Sequence, residues 1–401
     1  MSVPPLPDCL HLHREVQQLL QYTDALIRSG SKMEDDFWEN KLINTLDRII
    51  TGKDPHLLET LFEFLGQQQL HAHYEILAGL AEGLAESCQL EHEQQAYDAL
   101  LISIPITAWT RYQLPHGELK AKQIADVEQA LRAHVLNPDA KLAIVNHLLS
   151  FDQLPANFNE TRQWLNRLAK RSLEDGSSEL NIKKDDEAIG LFADARFILL
   201  AAVVPKGDAI FRWQLEHQHP EVARLHSIHQ WENACHTILD TSFTGCTTHY
   251  ALPNAFYTSN READKQMRPL TIKAAITWLE AATQVSLSDL VVVIAPCGEE
   301  QIEEYRIGFN TEGSTNALYG AIWPILSPDE TDTNSADYLN IPNEIASLLK
   351  EFEVGEIRLL PGLYLPETCD DCGAPYFPNA TGDMAHPDLP EEINLDPLQL
   401  H

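Results

Sequence analysis

Cys369 and Cys372, with two residues between them and Gly373 after them, carry the clearest chemistry in this sequence. Thiolates at that spacing reach a single ion from a tight knuckle. Glycine supplies the left-handed backbone that such a turn needs. His386 stands downstream as a third ligand. With no second Cys-x2-Cys pair in the chain, a fourth ligand has to come from Cys297, Cys246, another histidine or a partner chain. The expected ion is a structural zinc. A redox pair would instead open a helix in a thioredoxin-like unit, and Pro375 and Pro378 oppose a helix there. Two free thiols are the plain alternative.

Two further groups could do chemistry. Glu299, Glu300, Glu303 and Glu304, with Arg306, are clustered carboxylates of the kind that hold Mg2+ for phosphoryl chemistry. The same pattern also describes a solvated acidic loop before an edge strand. Arg261, Glu262, Asp264 and Arg268 precede Pro269 and a helix. Cations beside a helix start can bind an anion, or can simply form a salt-bridged helix entry. Arg261, Glu262, Asp264, Arg268, Glu303 and Arg306 are therefore the candidate anion or polar site.

Other signals are weaker. His226, His229 and His236 share a helix flank at 100° per residue, behind His217 and His219. No HExxH motif accompanies them, so a solvated face is expected. Trp109 and Tyr112 form either a stacking surface or a packed interface. The chain has no P-loop, no GxGxxG after a strand and no GxSxG elbow. Cys–His catalysis stays open, because its partners need not be neighbours in sequence.

The elements that must position these residues fall into two halves. From 13 to 175 the apolar spacing is helical: Val16, Leu19, Leu20 and Leu26 make one stripe, and Leu57, Leu58, Leu61 and Leu65 another. Pro105, Pro115, Pro138 and Pro155 punctuate the later stripes. Residues 174–188 are polar and charged and mark a domain boundary. Beyond it, 197–204 is an apolar run, Phe211, Trp213 and Leu215 alternate, and Val222 to Ile238 are spaced as a helix. Residues 247–252 then return as a strand. The unbroken apolar run 290–294 fits a strand buried on both faces. Tyr305, Ile307 and Phe309 alternate with polar residues, as do Tyr319, Ala321, Trp323 and Ile325. Helices at 270–282 and 341–352 and a strand at 357–360 complete this half.

The expectation is an α+β chain. An all-α domain at 1–175 precedes a sheet domain at 188–362, built from two related β–β–α–β units of duplicated ferredoxin-like type. A surface tail at 363–401 carries the Cys-x2-Cys pair.

Composition narrows function. At 401 residues, 44% hydrophobic and 22% charged, the chain is long enough for two domains with real cores. Lys and Arg total 28 against 60 Asp and Glu, a formal charge of −32. That excess repels phosphate backbones and anionic membranes. No apolar run approaches a bilayer span. The first residues lack the basic region and apolar core of a secretory signal. Seven scattered cysteines fit reduced thiols in a cytoplasm.

Several short motifs together resemble a bacterial family, the domain of unknown function 2863 family. They are Asp-Phe-Trp-Glu at 36–39, Ala-Trp-Thr-Arg-Tyr at 108–112, Asp-Gln-Leu-Pro at 152–155 and Glu-Thr-Arg at 160–162. Arg261-Glu262, Arg268-Pro269, the run at 303–309 and the knuckle at 369–375 continue the match nearly end to end. The resemblance implies a cytoplasmic bacterial protein. It supplies no catalytic residue, and it implies that Cys297 stands where relatives need no cysteine. The function expected is therefore a non-enzymatic interaction or regulatory protein with a protein partner and a zinc-pinned tail. The alternative is a metal-dependent hydrolase or phosphotransferase with its site in the sheet domain.

Overall fold

The structure is a computed structural model. It describes residues 7, 9, 12–52, 54, 56–110, 114–174, 182, 193–215, 219–283, 285–327, 330–331 and 338–388. Four helices open the chain: α1 (Arg14–Ile27), α2 (Lys32–Ile50), α3 (His56–Gln67) and α4 (His71–Glu86). Their stripes close one core around Leu19, Leu20, Leu46, Leu61 and Leu77. Ser31 caps α2 by accepting from the Glu34 N–H at 3.3 Å.

The helical expectation fails at Ser87. A strand, β1 (Ser87–His92), turns through Glu93 and Gln94 into the long strand β2 (Gln95–Thr110). Next come β3 (Gly117–Glu118), α5 (Ala121–His134), β4 (Lys141–Ile144), β5 (His147–Leu148) and α6 (Phe158–Leu173). β6 (Ala193–Pro205), α7 (Pro220–Leu239), β7 (Cys246–Tyr250) and β8 (Asn254–Ala255) follow. β1, β8 and β7 lie end to end along one edge of β2, opposite residues 95–100, 102–103 and 106–110. β6 runs antiparallel on the other side of β2, with β4 outside it. The edge row is interrupted at 104–105, where Pro105 has no N–H to give.

Both faces of this sheet are buried, in alternation. Ile102, Ile104, Ile106, Ile198 and Leu200 meet α5 and α7 on one side. Leu101, Phe197, Leu199 and Ala201 meet α6 and the start of α8 (Phe256–Thr283) on the other. β2–α5–β4 and β6–α7–β7 thus interleave in the order β7–β2–β6–β4, with α5 and α7 on one face. The register from Tyr97↔Pro205 to Trp109↔Ala193 joins the two sides of the expected boundary at 175–188 in one sheet. Phe211 caps a 3-10 turn that contains Trp213, and the two rings stack at 4.5 Å rather than alternating along a strand.

The second sheet holds β9 (Leu290–Cys297), β10 (Glu304–Thr311), β11 (Tyr319–Pro324) and β12 (Glu356–Leu359) in the order β11–β10–β9–β12. The three strands expected at 290–325 are present. α9 (Ile341–Glu351) crosses over to bring β12 parallel to β9. This order differs from that of the first sheet, so the two sheets do not repeat one unit as the duplication required. Ile272, Ile276 and Leu279 of α8 and Ile341, Ile345 and Leu349 of α9 cover one face. α8 therefore serves both sheets, and Pro269 lies within it near the changeover. No helix among the described residues is long and apolar enough to cross a membrane.

The other face of the second sheet corrects the expected surface tail. Residues 360–364 first extend along β9 at the sheet edge, and residues 377–380 then lie on the face, with β13 (Phe377–Pro378) paired to β14 (Met384–Ala385). Phe377 sits on Gly320, and the Pro378 carbonyl sits on Gly308, where a Cβ would lie 2.2 Å and 1.9 Å from them. Ala380 packs on Val291 and Val293.

Candidate metal centre and interdomain cavity

The covering segment is fixed from below by a strand residue. Arg306, on β10, is 3% exposed. Its Nε donates to Glu304 at 2.6 Å, and its terminal nitrogen donates to the carbonyls of Glu367 and of Tyr376. Those two residues bracket the knuckle. Inside it, the Cys369 N–H donates to the Ala374 carbonyl and the Gly373 N–H to the Cys369 carbonyl, both at 2.8 Å. Gly373 has φ +73°, the backbone that only glycine adopts cheaply.

The β13–β14 hairpin then returns His386 to the knuckle. The Cys369 Sγ, the Cys372 Sγ and a His386 ring nitrogen all lie within 4.8 Å of one another. Cys372 Sγ and His386 Nε2 are 3.1 Å apart. Bonds of about 2.3 Å to sulfur and about 2.0 Å to nitrogen set tetrahedral donors about 3.5–3.8 Å apart. Small side-chain rotations bridge the difference, so the donor set fits an ion. Tyr376 stands edge-on to His386 at 6.5 Å. Its hydroxyl is pushed up by burial and by the neighbouring Cys369. The other two cysteines considered as ligands lie elsewhere. Cys297 is fully buried in β9, with its thiol pushed up to about 11 by burial. Cys246 belongs to the first sheet. Among the described residues these three donors form the only metal-capable group of three or more.

The six residues of the candidate anion or polar site do not meet in one place. Glu303 is exposed, as are Glu299 and Glu300, and Arg306 supports the knuckle. Arg268 and Glu330 form a bidentate pair at 3.0 and 2.8 Å, 4% and 5% exposed. Glu262 faces a cavity of about 620 Å³ between α7 and α8. Arg261 donates to Glu82 of α4 at 2.7 Å. His226, His229 and His236 are exposed, as expected of a solvated flank. His217, Arg111 and Tyr112 lie outside the described residues.

Asp264 and Arg261, however, share a cavity of about 520 Å³ with Asp152, Asn260, Phe256 and Tyr257. It lies where the loop before α6 meets the start of α8. A second cavity of about 340 Å³ adjoins it, and Tyr257, Pro155 and Ala156 line both. The Tyr257 hydroxyl is 3.1 Å from Thr161 Oγ1, and its N–H donates to Glu86 at 2.9 Å. Burial pushes the Glu86 carboxyl up to about 7, with the charge of Glu82 adding to it. Sequence spacing pointed to neither Asp152 nor Glu86 as a site residue. Both are brought to α8 by tertiary folding, which leaves no periodic signal.

The family model described as protein of unknown function (DUF2863) matches residues 7–400. The chain belongs to this family. Neither a curated protein nor a solved structure matches it. The matched span of this chain includes the knuckle and the residues that line both cavities.

Proposed function

We propose that this chain is a non-enzymatic interaction or regulatory protein of the bacterial cytoplasm whose C-terminal segment is pinned by a structural zinc. The observation that carries this is the meeting of Cys369, Cys372 and His386 on a loop already fixed by Arg306. Thiolate and imidazole donors in a glycine knuckle suit zinc above harder cations. The zinc would lock the segment that closes the open face of the second sheet. The unit from 95 to 250 is best described as a single ferredoxin-like arrangement, its strand order and helix placement supporting that name. Exposed Met33 and Phe37 on α2, 86% and 52% accessible, offer a protein partner an apolar foothold. The charge of −32 disfavours nucleic acid.

A metal-dependent hydrolase or phosphotransferase has less support. Its carboxylates at 299–303 are exposed, and its cations Arg261 and Arg268 already face carboxylates. Elemental analysis of protein purified without chelator tests the zinc. About one zinc per chain is expected, with most of it lost in Cys369→Ser. A metal-free wild-type preparation would overturn the proposal.

A further inference from the structure

We infer that the groove of about 620 Å³ between α7 and α8 docks an extended segment of a protein partner, added as a strand whose apolar and basic side chains alternate. The floor of the groove is an open sheet edge. β7 pairs with β2 on one side, and no strand among the described residues pairs with its other side. A free edge presents unpaired N–H and C=O groups, and an added peptide strand satisfies them. The walls are two helices. α7 stands on the sheet face that holds Trp231, Cys235 and Tyr250, and α8 begins on the face that holds Phe256 and Ala263. The groove therefore follows the edge from His249 to Asn254, with one helix on each side.

The two walls differ, and the difference selects the partner. Side chains of an added strand point alternately to the two faces of the sheet. On the α7 side they meet Leu225 and Ile228. Leu225 is 58% exposed, and Val222, one turn before it, is 56% exposed. Apolar surface left open in a groove marks a contact for a partner. On the α8 side they meet Glu262 and Gln266, which are joined at 3.4 Å. The Thr107 hydroxyl donates to Gln266 at 3.3 Å and ties this wall to the sheet. Glu221 and Glu232 also line the groove, so three carboxylates face one guanidinium, that of Arg224, which lies over the Trp213 ring. That excess favours Lys or Arg on the partner. The inference rests on the reading of this chain as an interaction protein and gives that reading a surface. No lining residue belongs to the second sheet or to the knuckle, so the groove is tested apart from the zinc.

Panning a phage-displayed library of random heptapeptides on the full chain tests this, followed by titration with the enriched sequence as a fluorescein-labelled synthetic peptide. Enriched sequences should alternate apolar residues with Lys or Arg. Leu225→Asp and Glu262→Lys should each weaken the peptide about tenfold or more. Both side chains are exposed, so both variants should fold. Glu351→Lys, at an exposed acid that ends α9, changes overall charge by the same amount as Glu262→Lys and should bind as wild type. Amides of β7 should exchange more slowly with solvent when the peptide is bound. Four results would overturn the inference. One is a library with no enriched sequence. Another is enrichment of acidic sequences or of sequences without alternation. The third is binding unchanged by either Leu225→Asp or Glu262→Lys, which places the peptide elsewhere. The fourth is a dimer in solution that Leu225→Asp splits, which gives the groove to a second copy of this chain.

Discussion

The Arg306 guanidinium donates to the Tyr376 carbonyl at 2.9 Å, across 70 residues of chain. The same guanidinium reaches the Glu367 carbonyl, and the Tyr376 N–H donates to that carbonyl at 3.1 Å. One buried strand residue thus fixes both ends of the loop that presents Cys369 and Cys372.

Arg306→Ala should therefore act on stability and on metal together. It removes the fork from two carbonyls and strands Glu304 without its partner. A loss on the order of 3 kcal/mol in chemical denaturation is expected, with zinc affinity lower by about tenfold or more. Arg306→Lys keeps the charge but not the fork, and should fall between. Wild-type zinc affinity in Arg306→Ala would show that the knuckle is organised without it.

Gly320→Ala and Gly308→Ala test the covering segment. An added Cβ would lie 2.2 Å from the Phe377 ring in the first and 1.9 Å from the Pro378 carbonyl in the second. Neither neighbour yields without lifting the segment. Destabilisation of about 1–3 kcal/mol is expected in each. Amides of 361–388 should exchange faster with solvent, while those of α1–α4, whose core is separate, should not change. Unaltered exchange in the C-terminal segment would show that it does not rest on the sheet.

Glu86 gives a pH signature. Its folded-state pKa is raised to about 7 by burial, above the ordinary carboxylate value. The native state then holds a proton that the unfolded chain has released, so this group's contribution is fully present below about pH 4.5. It is lost as pH rises to about 7. Glu86→Gln removes the dependence. The variant should gain on wild type between pH 5 and pH 8, on the order of 1–3 kcal/mol. Denaturation curves at both pH values measure this. A gain in the opposite direction would mean that Glu86 is ionised and stabilised in the fold.

Much of the second sheet was legible. The runs at 290–294, 305–309 and 319–325 alternate, or are fully apolar, because their strands are buried on one or two faces. The β1–β2 hairpin was not. Its turn places Glu93 and Gln94 at φ +49° and +65°, where glycine or asparagine ordinarily signals the bend. β2 is buried on both faces and holds Pro105, so it reads as helical stripes broken by a proline. The knuckle was legible because Cys-x2-Cys-Gly is local. The role of Arg306 was not, since its partners are carbonyls with no side-chain signature. Arg261 read as an anion ligand for the same reason: its partner Glu82 is 179 residues away.

X-ray absorption at the zinc edge, on protein prepared without chelator, tests the central claim most directly. The account predicts two sulfur scatterers at about 2.3 Å and at least one imidazole nitrogen at about 2.0 Å, with one sulfur lost in Cys372→Ser. A shell of oxygen and nitrogen alone, or a shell unchanged by Cys372→Ser, would contradict it.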